Sequence, residues 1–401
     1  MPDTPAPLSF PMRRTCPFAP PREYQTLREN DPVAKVGLPT GQTAWLVTRY
    51  DDVRGVLGDL RVSPDRAKPG FPMTASIPPE TLRQLNLSLL GMDPPEHTAL
   101  RRLIAKEFTP RAIRALRPRV QQVVDDCVDA MLAAGGPVDL VRALALPVPS
   151  LTVCELLGVP VQDQEFFQTR TALMVDREAA LSDRVTANKE IMVYFDRLCA
   201  AKEADPTDDV LGRAVTQMRA GDGVDHHTLV GLARLLVIAG HETTANQISL
   251  SVIGLLDNPD QLAAMIADPG LVPRAVEELL RYFSVSDLVT TRVALADLEV
   301  GGVLVRAGEG IIAPTAAANW DTTIFEDPMR LDVTRDNRRQ IAFGYGVHQC
   351  LGQHLARLEL EVVLGTLFRR IPDLRLAVQV DELQFKHDAE AYGVFSLPVT
   401  W

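Results

Sequence analysis

Cysteine is scarce, with five in 401 residues. Cys16, Cys127, Cys154, Cys199 and Cys350 are an odd number and show neither the dense spacing of a disulfide framework nor the grouping that holds an iron–sulfur centre. A reducing compartment fits this usage, and a cytoplasmic protein is expected. Long apolar runs are missing too. The opening MPDTPAPLSFPMRRTC places prolines where a secretory leader needs an unbroken apolar stretch, and no segment approaches the roughly eighteen apolar residues of a membrane span. Neither export nor a membrane anchor is expected. Positive charge is also short: 41 Lys plus Arg against 52 Asp plus Glu leave a formal charge of −11, a field that repels polyanions and argues against nucleic acid as a partner. No Gly-rich dinucleotide fingerprint follows a strand, so no flavin or iron–sulfur module is expected in the chain.

What is present is ordinary globular material, 46% hydrophobic and 23% charged, enough for a sizeable core. The first ninety residues mix Pro and Gly with short β-type runs such as TAWLVT at 43–48, followed by helical periodicity over Tyr50 to Leu57. From Pro94 to Asp257 apolar positions recur at helical spacing, broken at Pro110, Gly135-Gly136, Pro147, Pro149, Pro160, Pro206 and Gly221 to Gly223. Asp225 to Asp257 contains no proline and predicts a helix of roughly 50 Å that would cross the molecule. It should stop at Asn258-Pro259, because Pro259 lacks an amide hydrogen and disfavours helix at Asn258. A helix over Val272 to Tyr282, strands near Leu298 to Val305 and Gly310 to Thr315, and a last helix from about Leu351 to Arg370 follow. Without repeats or low-complexity linkers, the expectation is one mostly α domain over residues 1–401 with a minor β part, its first 12 residues a flexible arm.

Around Cys350 the chain reads Phe343-Gly344-Tyr345-Gly346-Val347-His348-Gln349-Cys350-Leu351-Gly352. Two glycines let a loop bend and bring its amides near the sulfur, and a cysteine at a helix start is stabilised as thiolate by the helix dipole. Gly352 leaves no side chain two positions after the cysteine. For the cysteine by itself the alternatives are a buried structural thiol or a zinc site of His348, Cys350 and His354. Zinc wants four ligands at paired spacings, and the sequence offers no second Cys/His cluster. The ten residues resemble the haem-binding signature F-G-x-G-x-H-x-C-x-G of the cytochromes P450 at every specified position, with Phe343, Gly344, Cys350 and Gly352 in their places.

Four further segments resemble that family, in its order along the chain. His97 and Arg101 stand four apart on one face of a helix beginning near Pro94 or Pro95. Ala239-Gly240-His241-Glu242-Thr243-Thr244 lies inside the long helix, where small residues allow close approach and Thr hydroxyls compete with the helical ladder. Glu278 and Arg281, at i and i+3, can form a fork-type pair. The segment Phe325 to Arg335 then supplies Arg335 as a further partner.

The resemblance implies a helical bundle around a buried haem b (iron protoporphyrin IX). Cys350 would be the axial ligand of the iron, and His97, Arg101, Arg292 and His348 would hold the propionates. Thr243 would hydrogen-bond dioxygen and Glu242 would relay protons from solvent. Glu278, Arg281 and Arg335 would be structural. Ala239 would lie against the haem, and Leu87, Leu89, Leu235, Ile238, Leu288, Val289 and Val394 would line an apolar substrate pocket. The implied activity is insertion of one oxygen atom of dioxygen into a hydrophobic small molecule of polyketide, statin-like, macrolide or sterol-like type, by hydroxylation or epoxidation. A peroxide-driven haem-thiolate enzyme and a non-catalytic haem gas sensor are the rival readings; Glu242 and Thr243 count against the sensor, which has no evident need of a proton relay. With no redox module in the chain, electrons should come from a ferredoxin and an NAD(P)H-dependent ferredoxin reductase. Arg102, Lys106, Arg111, Arg114 and Arg357 should gather near Cys350 as the docking patch, and the protein should be a monomer.

Overall fold

Two short runs near the N-terminus set up the main sheet. Thr43–Val47 and Val33–Gly37 pair antiparallel with Trp45 opposite Lys35, and their buried positions face the core while Lys35 and Thr43 stay in water. In the computed structural model, which describes residues 8–75, 89–175, 179–219, 225–387, 389 and 391–401, six strands make this sheet. Their order is Leu8–Ser9, Val33–Gly37, Thr43–Val47, Gly310–Ile312, Thr291–Ala294, Val62–Ser63. A two-stranded hairpin, Leu298–Val300 with Val303–Val305, lies apart from it.

Chain contacts gather into two compact units, each discontinuous in sequence. The first is drawn from Met1–Thr98, Glu277–Cys350 and His387–Tyr392 and holds the six-stranded sheet. One of its cores packs Tyr50, Val53 and Leu57 of the helix Tyr50–Gly58 against Ile311, Phe325 and Ile341. The other packs Phe10 and Tyr24 against Val36, Leu46 and Ile312. Phe10 corrects the expectation of a free arm over residues 8–12. It is 1% exposed, and Leu8–Ser9 pair in parallel with Val36 and Gly37. Burying one Phe is worth about 1.5–3 kcal/mol, enough to fasten so short a segment.

The second unit, Ala99–Val276, Leu351–Lys386 and Gly393–Trp401, is mostly helical. Its longest element runs His226–Asp257. Asp225 caps it by accepting from the Thr228 amide at 2.8 Å, and it ends with Asn258 as C-cap ahead of Pro259. From Thr244 to Leu255 every residue is buried, as an interior helix covered on all sides requires. It packs on the helices Pro147–Leu157, Leu181–Ala204 and Gln353–Arg370. Halfway along the cover stops on one side: Ile238 is 44% exposed, and Ala239 is exposed beside it. No described helix is long and apolar enough to cross a membrane.

Candidate functional site

The Cys350 loop belongs to the first unit. Gly344 and Gly346 adopt φ of 72° and 75°, a region that favours glycine. Gly346 is further fixed by space, since a Cβ there would lie 2.4 Å from the Leu57 carbonyl oxygen. The loop closes through the Cys350 amide, which donates to the Phe343 carbonyl at 2.9 Å. Cys350 is exposed at the end of this loop, two residues before Gly352 caps the helix Gln353–Arg370. Three other thiols contrast with it: burial pushes Cys127 up to about 11 and Cys154 and Cys199 up to about 12, so they stay protonated and inert. Among the described residues no three His, Cys, Asp or Glu side chains gather as a metal cluster.

Beside the loop, the His348 and His97 rings lie 4.2 Å apart, centroid to centroid. Arg292 joins His348 in lining a narrow crevice with Leu57, Val62 and Pro94. The Arg292 guanidinium is buried and, among the described residues, donates to backbone, to the Val289 and Thr291 carbonyls at 3.4 and 2.7 Å. Burial draws its pKa down to about 10, against an opposing pull from Asp93. A buried Arg with no carboxylate at ion-pair distance among the described residues is costly unless something anionic completes it. Arg101 is half-buried one turn beyond His97 on the helix Glu96–Ala105.

Deeper in the same unit, Glu278 and Arg281 are both 0% exposed. Arg281 forks onto Glu278 with Nε–Oε2 at 2.7 Å and Nη2–Oε1 at 2.8 Å, and its remaining donors reach the Asn319 and Pro328 carbonyls. Arg335 approaches Glu278 Oε1 at 3.3 Å and also donates to the Glu326, Asp327 and Arg330 carbonyls. The three side chains therefore meet.

The second unit supplies the helix residues. Thr243 donates its hydroxyl to the Ala239 carbonyl at 2.7 Å, which leaves the oxygen's lone pairs available to accept. Glu242 is half-buried, and Leu235 half-buried one turn before Ala239. His241 between them is buried with neither ring nitrogen hydrogen-bonded among the described residues. Burial, then the nearby Lys386 charge, lowers its pKa to about 4, so it is neutral at pH 7. Of the remaining pocket candidates Leu89 is buried, Val289 exposed and Val394 wholly buried. Leu87 lies outside the described residues, and for Leu288 only the backbone is described, in the turn Asp287–Thr290. Two contacts went unnoticed in the sequence. Arg14 reaches Asp287 at 3.3 Å while stacking on Tyr392, so it anchors that turn. Lys386 reaches Glu242 at 3.1 Å.

The family model for cytochrome P450 matches residues 161–372. The vitamin D3 dihydroxylase of Streptomyces griseolus is 48% identical over 400 residues, 100% of this chain and 97% of that one. The chain belongs to the cytochrome P450 family. Pentalenic acid synthase of Streptomyces avermitilis is 46% identical, over 99% of this P450 and 98% of its own length. The crystal structure of cytochrome P450 MoxA from Nonomuraea recticatena superposes with a TM-score of 0.94 at 52% identity, covering 98% of each chain. This P450 is a haem-dependent monooxygenase of actinobacterial type.

Haem fits the residues present. A thiol on a glycine-bent loop that excludes side chains at Gly346 suits an iron ligand. The buried Arg292, with no ion pair among the described residues, lies beside His348 and suits a propionate.

Proposed function

We propose that this P450 uses haem b, with Cys350 as its thiolate ligand, to oxygenate a hydrophobic small molecule of polyketide, macrolide, statin-like or sterol-like type. The observation that carries the reading is on the long helix. A partly uncovered apolar stretch, half-buried Leu235 and exposed Ile238 and Ala239, runs straight into Glu242 and Thr243 on one helix. An apolar wall and a proton-handling pair are thereby fixed a turn apart, as a site for C–H oxygenation needs. Bound haem supplies the reduction chemistry, in which substrate, dioxygen, two electrons and two protons give oxygenated product and one water.

The chain's own residues bind and manage protons. Arg292, His97, Arg101 and His348 hold the propionates, Phe343, Gly344, Gly352 and Ala239 shape the space for the macrocycle, and Glu278, Arg281 and Arg335 keep the framework. Glu242, partly open to water, passes protons inward. Thr243, its own proton committed to Ala239, offers an acceptor to dioxygen's side of the site. One relative is named for vitamin D3 and another for pentalenic acid, which favours a hydrophobic substrate over a small polar one. The cysteine usage suits a protein working in the cytoplasm, and we propose it as a monomer.

Electrons come from a ferredoxin and its reductase. Arg102, Lys106, Arg111 and Arg114 are exposed and make no ion pair among the described residues. The helix Pro110–Ala115 that carries two of them packs on Gln353–Arg370, which carries Arg357. Such a patch speeds encounter with an acidic partner more than it tightens binding.

The test uses a panel of vitamin D3, a macrolide, a statin-like polyketide and a steroid, scored by the Soret shift and by label from isotopic dioxygen in the product. At least one should shift the band and acquire one labelled atom with ferredoxin and reductase present. Product formed with peroxide alone, and none with ferredoxin, would support the peroxide-driven rival. Arg102→Glu with Arg111→Glu should slow the ferredoxin-supported reaction about tenfold at low ionic strength and leave peroxide-supported turnover unchanged. Equal losses in both assays would assign the patch to folding or haem binding.

A further inference from the structure

Lys386 is buried, its side chain 5% exposed, and lysine is seldom buried without a partner. Its ammonium donates to Glu242 Oε1 at 3.1 Å and to Asn246 Oδ1 at 2.9 Å. Glu242 and Asn246 stand four apart on the long helix, so one amine spans a single helical turn. The backbone of a C-terminal hairpin fixes where that amine sits. Phe385 bridges Val394 antiparallel, the Lys386 amide donates to the Gly393 carbonyl at 2.8 Å, and the Phe395 amide to the Gln384 carbonyl at 3.0 Å. Gly393 lies directly on Asn246, where a Cβ would come within 2.2 Å of the amide oxygen. Only glycine lets the hairpin approach the helix this closely. The hairpin is therefore pinned to the helix at Asn246 from both of its strands, and the ammonium is delivered to one carboxylate oxygen. The Glu242 side chain remains 33% exposed, so the carboxylate is held on one side and wetted on another.

We propose that Lys386 is a positioning residue for proton delivery: by gripping one oxygen of Glu242 it holds the carboxylate in the orientation that links solvent to the Thr243 side of the helix. The inference rests on the reading of Glu242 as the proton relay. Carboxylate orientation matters because a proton moves efficiently only across hydrogen-bond distances and angles, and a side chain with three rotors otherwise samples many poses. A neutral residue at 386 frees Glu242 without removing it.

Holoprotein of Lys386→Met, Lys386→Gln, Lys386→Arg, Glu242→Gln and the Lys386→Met/Glu242→Gln double variant tests this, with the panel compound that gives the largest Soret shift as the probe. Thermal unfolding of the wild type, the Met and Gln single variants and the double variant forms a cycle that reports the pair independently of turnover, and a non-zero coupling is expected. Lys386→Met and Lys386→Gln should leave the Soret-shift Kd and KM essentially unchanged, lower ferredoxin-supported turnover about tenfold, and raise the solvent deuterium isotope effect. Lys386→Arg should recover most of the loss. In the Glu242→Gln background, loss of Lys386 should have no further effect on turnover. If Lys386→Met slows turnover equally in both backgrounds, or if Lys386→Met and Lys386→Gln both turn over normally while Glu242→Gln is slow, the positioning role is wrong. Normal turnover and isotope effect in Glu242→Gln itself would instead remove the relay reading underneath. Should Lys386→Met fail to fold, Lys386→Gln, which keeps a donor for Asn246 but no charge for Glu242, decides by the same measurements.

Discussion

Arg281→Met should yield little or no haem-loaded protein. The guanidinium is wholly buried and serves three partners: both oxygens of Glu278 and the carbonyls of Asn319 and Pro328. Met fills much of the volume but donates nothing. Glu278 would keep Arg335 at 3.3 Å and the Asp332 amide at 3.0 Å, in a fully buried place. Breaking one side of such a pair costs about 3–5 kcal/mol, a large part of the roughly 5–15 kcal/mol that holds a typical domain folded. Arg281→Lys should fare little better, because an ammonium cannot fork onto a carboxylate while reaching two carbonyls. The measurements are the yield of folded protein, its haem content by absorbance, and the thermal midpoint. A normal midpoint and normal haem content in Arg281→Met would show that the triad carries no weight in the fold. Loss in Arg281→Met that is not deepened by adding Glu278→Leu would show the two acting as one unit.

Thr243→Ala is expected to keep haem and substrate affinity yet send electrons from the reductase to hydrogen peroxide in place of product. The hydroxyl donates to Ala239, and its oxygen keeps lone pairs with which to accept. Alanine removes that acceptor without disturbing the helix, since alanine is the best helix former. Glu242→Gln should act differently, slowing turnover by about a hundredfold, the lower end of what a positioned acid–base group contributes, with less leakage to peroxide. The quantities to compare are nicotinamide consumed, product formed and peroxide released per minute. Ordinary coupling and rate in both variants would remove the proton-handling roles from this pair.

Local patterns carried much of this site. The i, i+3 spacing of Glu278 and Arg281 dictates their meeting on one helix, and the glycines about Cys350 announce a loop that must bend where side chains do not fit. Asp225 and Asn258-Pro259 bound the long helix by capping chemistry alone. What escaped the sequence depends on partners far along the chain. Lys386 is one lysine in a mixed stretch until the hairpin lays it on Glu242, 144 positions earlier. Arg14 finds Asp287 across 273 positions. Phe10 looked like part of a proline-rich arm because its burial is supplied by a sheet assembled from distant strands. Val394, placed in the pocket lining by the family resemblance, is fully buried and bridges Phe385. Periodicity reports faces of one element, and none of these contacts lies within one element.

The most direct test of the account is the absorption spectrum of the reduced protein under carbon monoxide, for the wild type and for Cys350→Ala. Cys350 is the exposed thiol on the glycine-bent loop, and Cys127, Cys154 and Cys199 are held protonated by burial. The wild type should show the red-shifted Soret band of thiolate-ligated haem, and Cys350→Ala should lose it. A band that survives in Cys350→Ala, or that never forms in the wild type, would contradict the assignment of Cys350 as the ligand.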